Sequence, residues 1–480
     1  MLMPVPCGLV LYLQPMNRTE AQRLPVLRIF QIWWPLAASW IMMSLEGPAV
    51  SAIIARLVEP EINLASYGVV FSLALIIESP IIMLLAASTA LSKDWESFAR
   101  MRNYMRVAAT GLTALHLLVA FTPIYYMVVR DLIGAPAEIL EPARIGFQIM
   151  TPWTASIAYR RFNQGVLIRF GRSQAVGKGT IVRLSANILV LAIGYLLKDV
   201  PGIVVGTSAV AVGVMSEAAF AGIAVQPVLR GKLRQAPPSS KPVTLPGFLN
   251  FYIPLAMTSL LFLIAQPIGT AAASRLPMAL ESLAVWPVVS GLVFLFRSLG
   301  VAYNEVVVAL LDEPLSMYNL RRFTGWLAGL VSLAMLLVTA TPMARIWLEV
   351  ISALSPELVE LGRVGLLLAL PLPAMAVLQS WYQGAILHGK QTRGISEATV
   401  IYLASNAALL FASVALLRVV GLYVLLIAMG ISMALQTAWL WWRSRDVLRA
   451  LDDRDASYAR HALMEESGAD PQIRATNTPG

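Results

Sequence analysis

Long apolar runs alternate with short polar segments from Arg28 to Trp442. Each run exceeds about twenty residues, the length of helix that crosses the ~30 Å hydrocarbon core of a bilayer. The pattern predicts twelve membrane-spanning helices and therefore an all-α polytopic membrane protein. The predicted spans are residues 28–57, 65–91, 106–129, 144–167, 174–197, 201–228, 247–274, 283–307, 323–343, 360–386, 394–417 and 419–442.

The sequence repeats itself, without gaps, at an offset of 219 positions. Of the ten prolines between residues 28 and 227, four align with a second proline: Pro35 with Pro254, Pro48 with Pro267, Pro123 with Pro342, and Pro152 with Pro371. Chance would align fewer than about one, so the chain carries an internal duplication. Six spans per repeat place both halves in the same orientation, related by a pseudo-twofold axis along the membrane normal.

The duplication divides the chain into five parts. They are a cytoplasmic N-terminal segment (1–27), an N-terminal lobe with helices 1–6 (28–229), a cytoplasmic linker (230–246), a C-terminal lobe with helices 7–12 (247–442) and a cytoplasmic tail (443–480). The linker is basic and rich in Pro and Ser, which is typical of a surface connection. About the last fifteen residues of the tail are poor in apolar side chains and are expected to be disordered.

Composition and charge agree with a membrane protein whose termini are cytoplasmic. The chain is 58% hydrophobic and only 13% charged, and its net charge is +9. Lys and Arg concentrate in one set of loops, which the positive-inside rule assigns to the cytoplasm, while the opposite loops carry mainly acids. The positive charge thus reflects topology in a plasma (inner) membrane, and no nucleic-acid partner is expected. Cys7 is the only cysteine, which excludes an intrachain disulfide.

Glu46 is the first candidate functional residue. It lies within the opening span and is followed by Gly47 and Pro48, where the helix can bend. A carboxylate inside a membrane is costly unless it meets water or a partner, so such residues commonly serve function. We predict that Glu46 takes up and releases a coupling proton. The alternative is that it only hydrogen-bonds a neighbouring helix.

Other polar residues within the spans leave two interpretations each. Glu78 and Arg297 occupy equivalent positions of the repeats, and they either pair across the cleft between the lobes or face a wet cavity separately. Asn187 helps coordinate a proton or sodium ion, or packs helices as its repeat partner Asn406 would. Arg183 and Glu217 form a structural ion pair, or Arg183 snorkels to the surface.

Three further features receive mainly structural interpretations. His116 could relay protons, but a lone histidine is more often a satisfied packing residue. Arg160 and Arg161 are expected to snorkel to the cytoplasmic surface. The Gln-Gly pairs at Gln164 and Gln383 are expected to support close helix packing. The three histidines are scattered and no nucleotide-binding or hydrolase motif is present, so the sequence predicts neither an enzyme nor a bound cofactor.

Two parallel six-helix repeats over residues 28–442 resemble the multidrug/oligosaccharidyl-lipid/polysaccharide (MOP) superfamily. Within it, the motif LASYG (Leu64–Gly68) and the pair Glu46-Gly47 ahead of Ala49 resemble MATE exporters and, more closely, the progressive ankylosis (ANK) family. The resemblance implies two bundles in a V shape that export solutes or flip lipids by alternating access. It also implies an N-lobe cation site, for which Glu46, Asn187 and Glu217 are the matching residues.

The chain departs from MATE proteins that couple through the second lobe. Those use acids in spans 7 and 10, whereas this chain has Gln266 in span 7 and no acid in the membrane part of span 10. ANK-type relatives are associated with export of anions such as pyrophosphate, nucleotide or citrate, which Arg297 would suit. We therefore expect a monomeric exporter of small organic molecules coupled to protons or sodium. The alternatives are a flippase for lipid-linked precursors and a non-transporting scaffold.

Overall fold

A computed structural model describes residues 24–172, 174–238, 243–389, 393–416 and 418–466. In these ranges the regular elements are helices, and eleven of them are long and apolar enough to cross a membrane. The remaining predicted span, the fourth (residues 144–167), lies on helices that cover residues 137–169 and carries Arg144, Arg160 and Arg161. Its equivalent at residues 356–388 does qualify as a span, so the arrangement is consistent with twelve membrane helices.

The first repeat contains twelve α-helices and one π-helix. They are α1 (Val26–Ser44), α2 (Glu46–Ile54), α3 (Pro60–Ile82), α4 (Leu84–Leu91), α5 (Trp95–Phe121), α6 (Ile124–Tyr126), π1 (Met127–Ile133), α7 (Ala137–Ile149), α8 (Thr151–Arg169), α9 (Gln174–Leu197), α10 (Gly202–Ala224), α11 (Gln226–Arg230) and α12 (Lys232–Gln235). The first span is thus α1 with α2, and the fourth is α7 with α8.

The second repeat contains the equivalent main elements. They are α13 (Leu245–Leu263), α14 (Ala265–Ala273), α15 (Ala279–Leu310), α16 (Met317–Ala340), α17 (Met343–Arg345), π2 (Ile346–Ile351), α18 (Pro356–Leu368), α19 (Leu372–His388), α20 (Arg393–Leu416) and α21 (Gly421–Glu466). The π-helices begin at equivalent positions, and the left-handed residues before the second spans, Glu59 and Met278, are also equivalent. The duplication therefore extends to local backbone conformation.

Proline sets the breaks within the first span of each lobe. Pro48 has no N–H to donate to the carbonyl group of Ser44, and α1 ends at that residue. Pro267 stands in the same relation to Leu263, where α13 ends. Each first span therefore consists of two helices that meet next to Glu46 in one lobe and at the equivalent Ala265 in the other.

The first helix of each repeat packs against the other lobe. Trp33 of α1 donates to the carbonyl oxygen of Leu299 on α15 at 3.0 Å. The equivalent Tyr252 of α13 donates to the carbonyl oxygen of Pro80 on α3. Because each contact is the repeat image of the other, the two lobes are related by the expected pseudo-twofold axis. The first half of span 1, helix α1, thus belongs by packing to the C-terminal lobe.

Two arginines close the side of the protein that carries the acidic loops. Arg56, just after α2, donates to the carbonyl oxygens of Val350 and Ile351 at the end of π2. The equivalent Arg275 donates to those of Leu132 and Ile133 at the end of π1. Carbonyl groups at a helix end are unpaired and carry partial negative charge, which suits a guanidinium. We refer to these contacts as the arginine clasps.

The chain beyond Trp442 begins as a continuation of the last span. Helix α21 continues to Glu466 instead of ending with the membrane span. Asp455 accepts from the backbone N–H of Met317 at 2.9 Å, and Asp452 pairs with Arg321, so the extension is fastened to the start of α16. Residues 1–23, 239–242 and 467–480, which include most of the predicted N-terminal segment and the disordered end of the tail, lie outside the described residues.

Candidate functional site

A cavity of about 940 Å³ lies between the two lobes. Its charged lining residues are Glu46, Arg160, Arg183, Arg297 and Glu305. Neutral polar groups of the C-terminal lobe face the same space, among them Gln266, Asn304, Gln379, Gln383, Tyr402 and Asn406. Most of the remaining wall is apolar or aromatic. The cavity therefore combines an apolar surface with a few polar groups, as small-molecule binding sites do.

Glu46 lies at the break between α1 and α2 and contacts two side chains of α9. Arg183 places one guanidinium nitrogen 2.8 Å from Glu46 Oε2. Asn187, one turn further along the helix, donates to Oε1 at 3.1 Å. One carboxylate oxygen thus accepts a hydrogen bond from an amide, and the other forms an ion pair with a guanidinium. The predicted proximity of Glu46 and Asn187 is present, and Arg183 is the third member of the group.

Glu217 of α10 is more deeply enclosed, with its side chain 2% exposed against 16% for Glu46. Arg160 of α8 forms an ion pair with its Oε2, and Gln164 donates to its Oε1 at 2.9 Å. Arg183 is also near, at 3.8 Å from Oε2. Arg183 therefore lies between the two acids, closer to Glu46, and links the predicted coupling residues into one network.

The ion-paired residues of the N-lobe network are balanced in charge, since two carboxylates pair with two guanidinium groups. Removing one partner of a buried pair strands the other in a low-dielectric environment and typically costs about 3–5 kcal/mol. Each of these residues is therefore held in place by the others. Among the described residues, no group of three or more His, Cys, Asp or Glu side chains is arranged to hold a metal ion.

The C-terminal lobe carries a neutral version of the same network. Gln379 and Gln436 occupy the positions equivalent to Arg160 and Glu217, and Gln379 donates to Gln436 at 3.1 Å. At the equivalents of Arg183 and Glu46 stand Tyr402 and Ala265. The duplication thus kept the side-chain contact and changed its charge. Titratable acids remain only in the N-terminal copy of this network.

Arg297 is the cavity cation without an ionic partner among the described residues. It projects from the middle of α15, and its Nε is buried without a hydrogen-bond acceptor. Glu305 lies eight residues further along the same helix, or about 12 Å of helical rise, at an exposed position. A cation with no counter-ion in a mostly apolar cavity is a site at which an anionic group would be stabilised.

The predicted pairing of Glu78 with Arg297 is wrong for this conformation. Arg297 lines the cavity, but Glu78 is fully buried between helices of the N-terminal lobe and accepts from Thr154 at 3.3 Å. Residues related by a twofold axis meet only where the axis passes between them, as the equivalent residues Gly68 and Pro287 do. Glu78 lies ten residues beyond Gly68, about 15 Å further along the helix.

Arg160 and Gln164 are site residues that sequence reasoning assigned elsewhere. Arg160 does not snorkel, because Glu217 pairs with it inside the lobe. Gln164 bonds a neighbouring helix as predicted, although its partner there is Glu217, one of the predicted coupling residues. Gly165 permits close packing of α8 against α4, since a Cβ there would lie 2.5 Å from the carbonyl oxygen of Leu85. The repeat could have indicated this pairing from the sequence, because Arg160 and Glu217 both align with glutamines in the second half.

No family model matches the sequence, and a comparison with curated proteins finds no match. The fold, in contrast, has clear relatives among solved structures. A multidrug resistance MATE family transporter of the MOP superfamily, in an inward-facing conformation, is 17% identical, with a TM-score of 0.61, over 87% of this chain and 98% of that chain.

Two further structures are similar to this chain. The lipid II flippase MurJ, in an inward closed conformation, is 13% identical, with a TM-score of 0.63, over 93% of each chain. The Vibrio cholerae MATE transporter VcmN, in its bent form, is 14% identical, with a TM-score of 0.56, over 90% of this chain and 98% of that chain. At these identities the likeness concerns the fold, and the chain has the fold of MATE transporters and MurJ.

Proposed function

We propose that this protein is a secondary transporter that moves small organic anions across the membrane by alternating access. The observation that carries the proposal is the cavity between two pseudo-symmetric lobes, with Arg297 unpaired on its wall. A central site between two repeats can be exposed to either side of a membrane when the repeats rock against each other. The fold shared with MATE transporters and MurJ supports this interpretation.

The chemistry of the lining supports an anionic substrate. The charges of Arg160 and Arg183 are compensated by Glu217 and Glu46, whereas that of Arg297 is not. A volume of about 940 Å³ accommodates a drug-sized molecule. Apolar and aromatic walls would hold the organic part of the substrate, and the guanidinium of Arg297 would bind a carboxylate or phosphate in a bidentate manner.

We assign ion coupling to the network around Glu46. A proton that binds Glu46 removes its negative charge and weakens its attraction to Arg183. Glu217 then offers Arg183 an alternative partner that is already within 3.8 Å. Because Glu46 begins α2 next to the break in span 1, the exchange would alter the contacts that hold the two helical segments at their present angle.

The direct test is transport by purified protein in liposomes. Organic mono- and polyvalent anions and a cationic dye are offered under imposed proton or sodium gradients. We expect uptake of anions, reduced about tenfold or more in Arg297→Gln, because loss of one charge-assisted contact exceeds about 1.4 kcal/mol. Arg297→Lys should retain part of the activity. Arg345→Gln, at an exposed surface position, is the control and should transport normally.

A second candidate is a flippase for a lipid-linked anionic precursor. The observation that favours it is the presence of three arginines on the cavity wall, Arg160, Arg183 and Arg297, where the sequence had indicated mainly one. The same liposomes separate the two functions, since a flippase would redistribute a labelled lipid diphosphate between leaflets. Anion uptake without lipid redistribution supports the exporter, and the reverse result supports the flippase.

A further inference from the structure

Three polar side chains form a hydrogen-bonded chain inside the N-terminal lobe, apart from the cavity. Glu78 of α3, His116 of α5 and Thr154 of α8 are all fully buried. His116 Nδ1 lies 3.0 Å from the hydroxyl of Thr154, and that hydroxyl lies 3.3 Å from Glu78 Oε1. At the other end, His116 Nε2 lies 2.9 Å from the carbonyl oxygen of Phe147. None of the three side chains lines the cavity.

The number of protons shared by these three side chains follows from the geometry of their hydrogen bonds. A carbonyl oxygen only accepts, so His116 donates to Phe147 from Nε2. Thr154 has one hydroxyl proton and gives it either to Glu78 or to His116. If Glu78 receives it, Nδ1 of His116 must also be protonated to donate to Thr154. If His116 receives it, Glu78 must be protonated and donate to Thr154.

Both arrangements contain one proton more than the state in which Glu78 is an ionised carboxylate and His116 is a neutral imidazole. The two differ by the concerted shift of two protons, since Thr154 passes its own proton to one neighbour as it takes a proton from the other. We propose that Glu78, Thr154 and His116 form a proton-binding site that holds one proton and is separate from Glu46. Without that proton, at least one of the hydrogen bonds described above cannot form.

The surroundings favour a bound proton over a free carboxylate. Oε2 of Glu78 is buried and has no hydrogen-bond partner among the described residues. The nearest cations are Arg160, which is engaged by Glu217, and Arg161, and neither forms an ion pair with Glu78. Three more titratable groups on helices packed against α3 are engaged elsewhere or face the cavity: Arg144 bonds Tyr126, Tyr252 bonds Pro80, and Arg297 lines the cavity.

The site also spans a break in the fourth membrane span. Phe147 lies on α7 and Thr154 on α8, and these helices are separated at Met150 because Pro152 cannot continue the hydrogen-bond pattern. His116 therefore bonds both sides of the break at once. A change in the bend of this span would break the hydrogen bonds among the three side chains and release the shared proton. Proton occupancy is therefore linked to the shape of the N-terminal lobe. The second repeat has Arg297, Met335 and Pro373 at the equivalent positions and lacks the site.

Infrared and ¹⁵N NMR spectroscopy of the purified full chain test the proposal without any transport measurement. His388 and His461 are replaced by Gln, so that His116 is the only histidine signal. At neutral pH we expect either a protonated carboxyl band that Glu78→Gln removes, or a doubly protonated imidazole at His116. Glu78→Gln should abolish both signatures and lower the number of bound protons by one per molecule. The glutamine amide carries its own N–H and can donate to Thr154, so the extra proton is no longer needed.

The controls separate this site from other acids and from a folding defect. Glu360→Gln, at an exposed position, should leave both signatures unchanged. Thr154→Val should uncouple the two groups, so that the carboxyl and imidazole signals titrate independently. If Glu78→Gln does not fold, the titration of the protein with Glu78 intact still decides the matter. An ionised Glu78 together with a neutral His116 in that protein at neutral pH would overturn the proposal.

Discussion

At the scale of single residues, the N-terminal network explains how two acids are kept inside the membrane. Glu46 and Glu217 each form an ion pair with a guanidinium and accept a hydrogen bond from an amide, so each of the four carboxylate oxygens has a polar partner. Arg183 is shared between them, which ties the more exposed acid to the enclosed one. A change of charge on either acid therefore changes the strength of the other acid's interaction with Arg183.

Glu46→Gln should abolish the response of transport to an imposed pH gradient. The amide keeps the size of the side chain but cannot bind or release the coupling proton. Uptake driven by the substrate gradient alone should remain, because Arg297 is unchanged. The measurement is uptake into liposomes at two imposed gradients, with Glu305→Gln as the control at another cavity acid. An unchanged gradient response would exclude Glu46 as the coupling residue.

Arg160→Gln should lower the free energy of unfolding by about 3 kcal/mol, since buried Glu217 keeps its hydrogen bond from Gln164 but has only Arg183, at 3.8 Å, as an ionic partner. The double variant Arg160→Gln, Glu217→Gln should recover most of that loss. It reproduces the Gln379–Gln436 hydrogen bond already present in the other lobe. Thermal unfolding in detergent measures both, and equal stability of the single and double variants would contradict the assignment.

At the scale of helices, the arginine clasps hold the two lobes together on the side of the acidic loops. Each clasp joins the end of one lobe's first span to the end of the other lobe's π-helix. The π-helices end in unpaired carbonyl groups, which accept from a cation more strongly than from water. A transporter that alternates between two openings has to break these contacts when this side opens.

Arg56→Ala and Arg275→Ala should each favour the conformation that is open on the clasp side. Partly exposed contacts of this kind contribute about 1 kcal/mol, which corresponds to a roughly fivefold shift in population. The two changes should be nearly additive because the clasps are separate. Spin labels on both lobes, in a background without Cys7, measure the distance across this side. Arg345→Ala is the surface control, and distances that do not change would contradict a role in closure.

At the scale of the whole molecule, the lobes exchange their first helices. The core around α1 includes Ile29 and Trp33 together with Tyr303 and Phe323 of the C-terminal lobe. In the same way, Phe248 of α13 stacks on Tyr104 of the N-terminal lobe. Each lobe thus buries apolar surface that the other half of the chain supplies, and neither half contains a complete core of its own.

Residues 1–238 and 243–480, expressed as separate chains, should assemble when produced together and be unstable when produced alone. Each half without its partner would expose the apolar face onto which the other half's first helix packs. Co-purification and resistance to protease measure assembly, with the intact chain as reference. A single half that is monomeric and protease-resistant would show that the helix exchange is not needed for folding.

The sequence alone determined the helical fold and the duplication. Span length and hydropathy depend on bilayer thickness, and the repeat is visible in its prolines, so neither needs a three-dimensional structure. The resemblance to MATE exporters had matched Glu46 and Asn187 to one site, and the structure brings them to 3.1 Å. The similarity of the fold to MATE transporters and MurJ agrees with the superfamily resemblance, whereas the ANK resemblance stays a prediction.

Only the tertiary structure decided which charged groups are partners. Sequence gives the height of a residue in the membrane, but the direction of its side chain depends on how each helix is rotated against its neighbours. Arg160 therefore pairs with Glu217 instead of reaching the surface. Glu78 is connected through Thr154 to His116 and does not pair with Arg297. Three of the residues that define the site, Arg160, Arg183 and Glu217, lie on three separate helices, and packing alone brings them to one point.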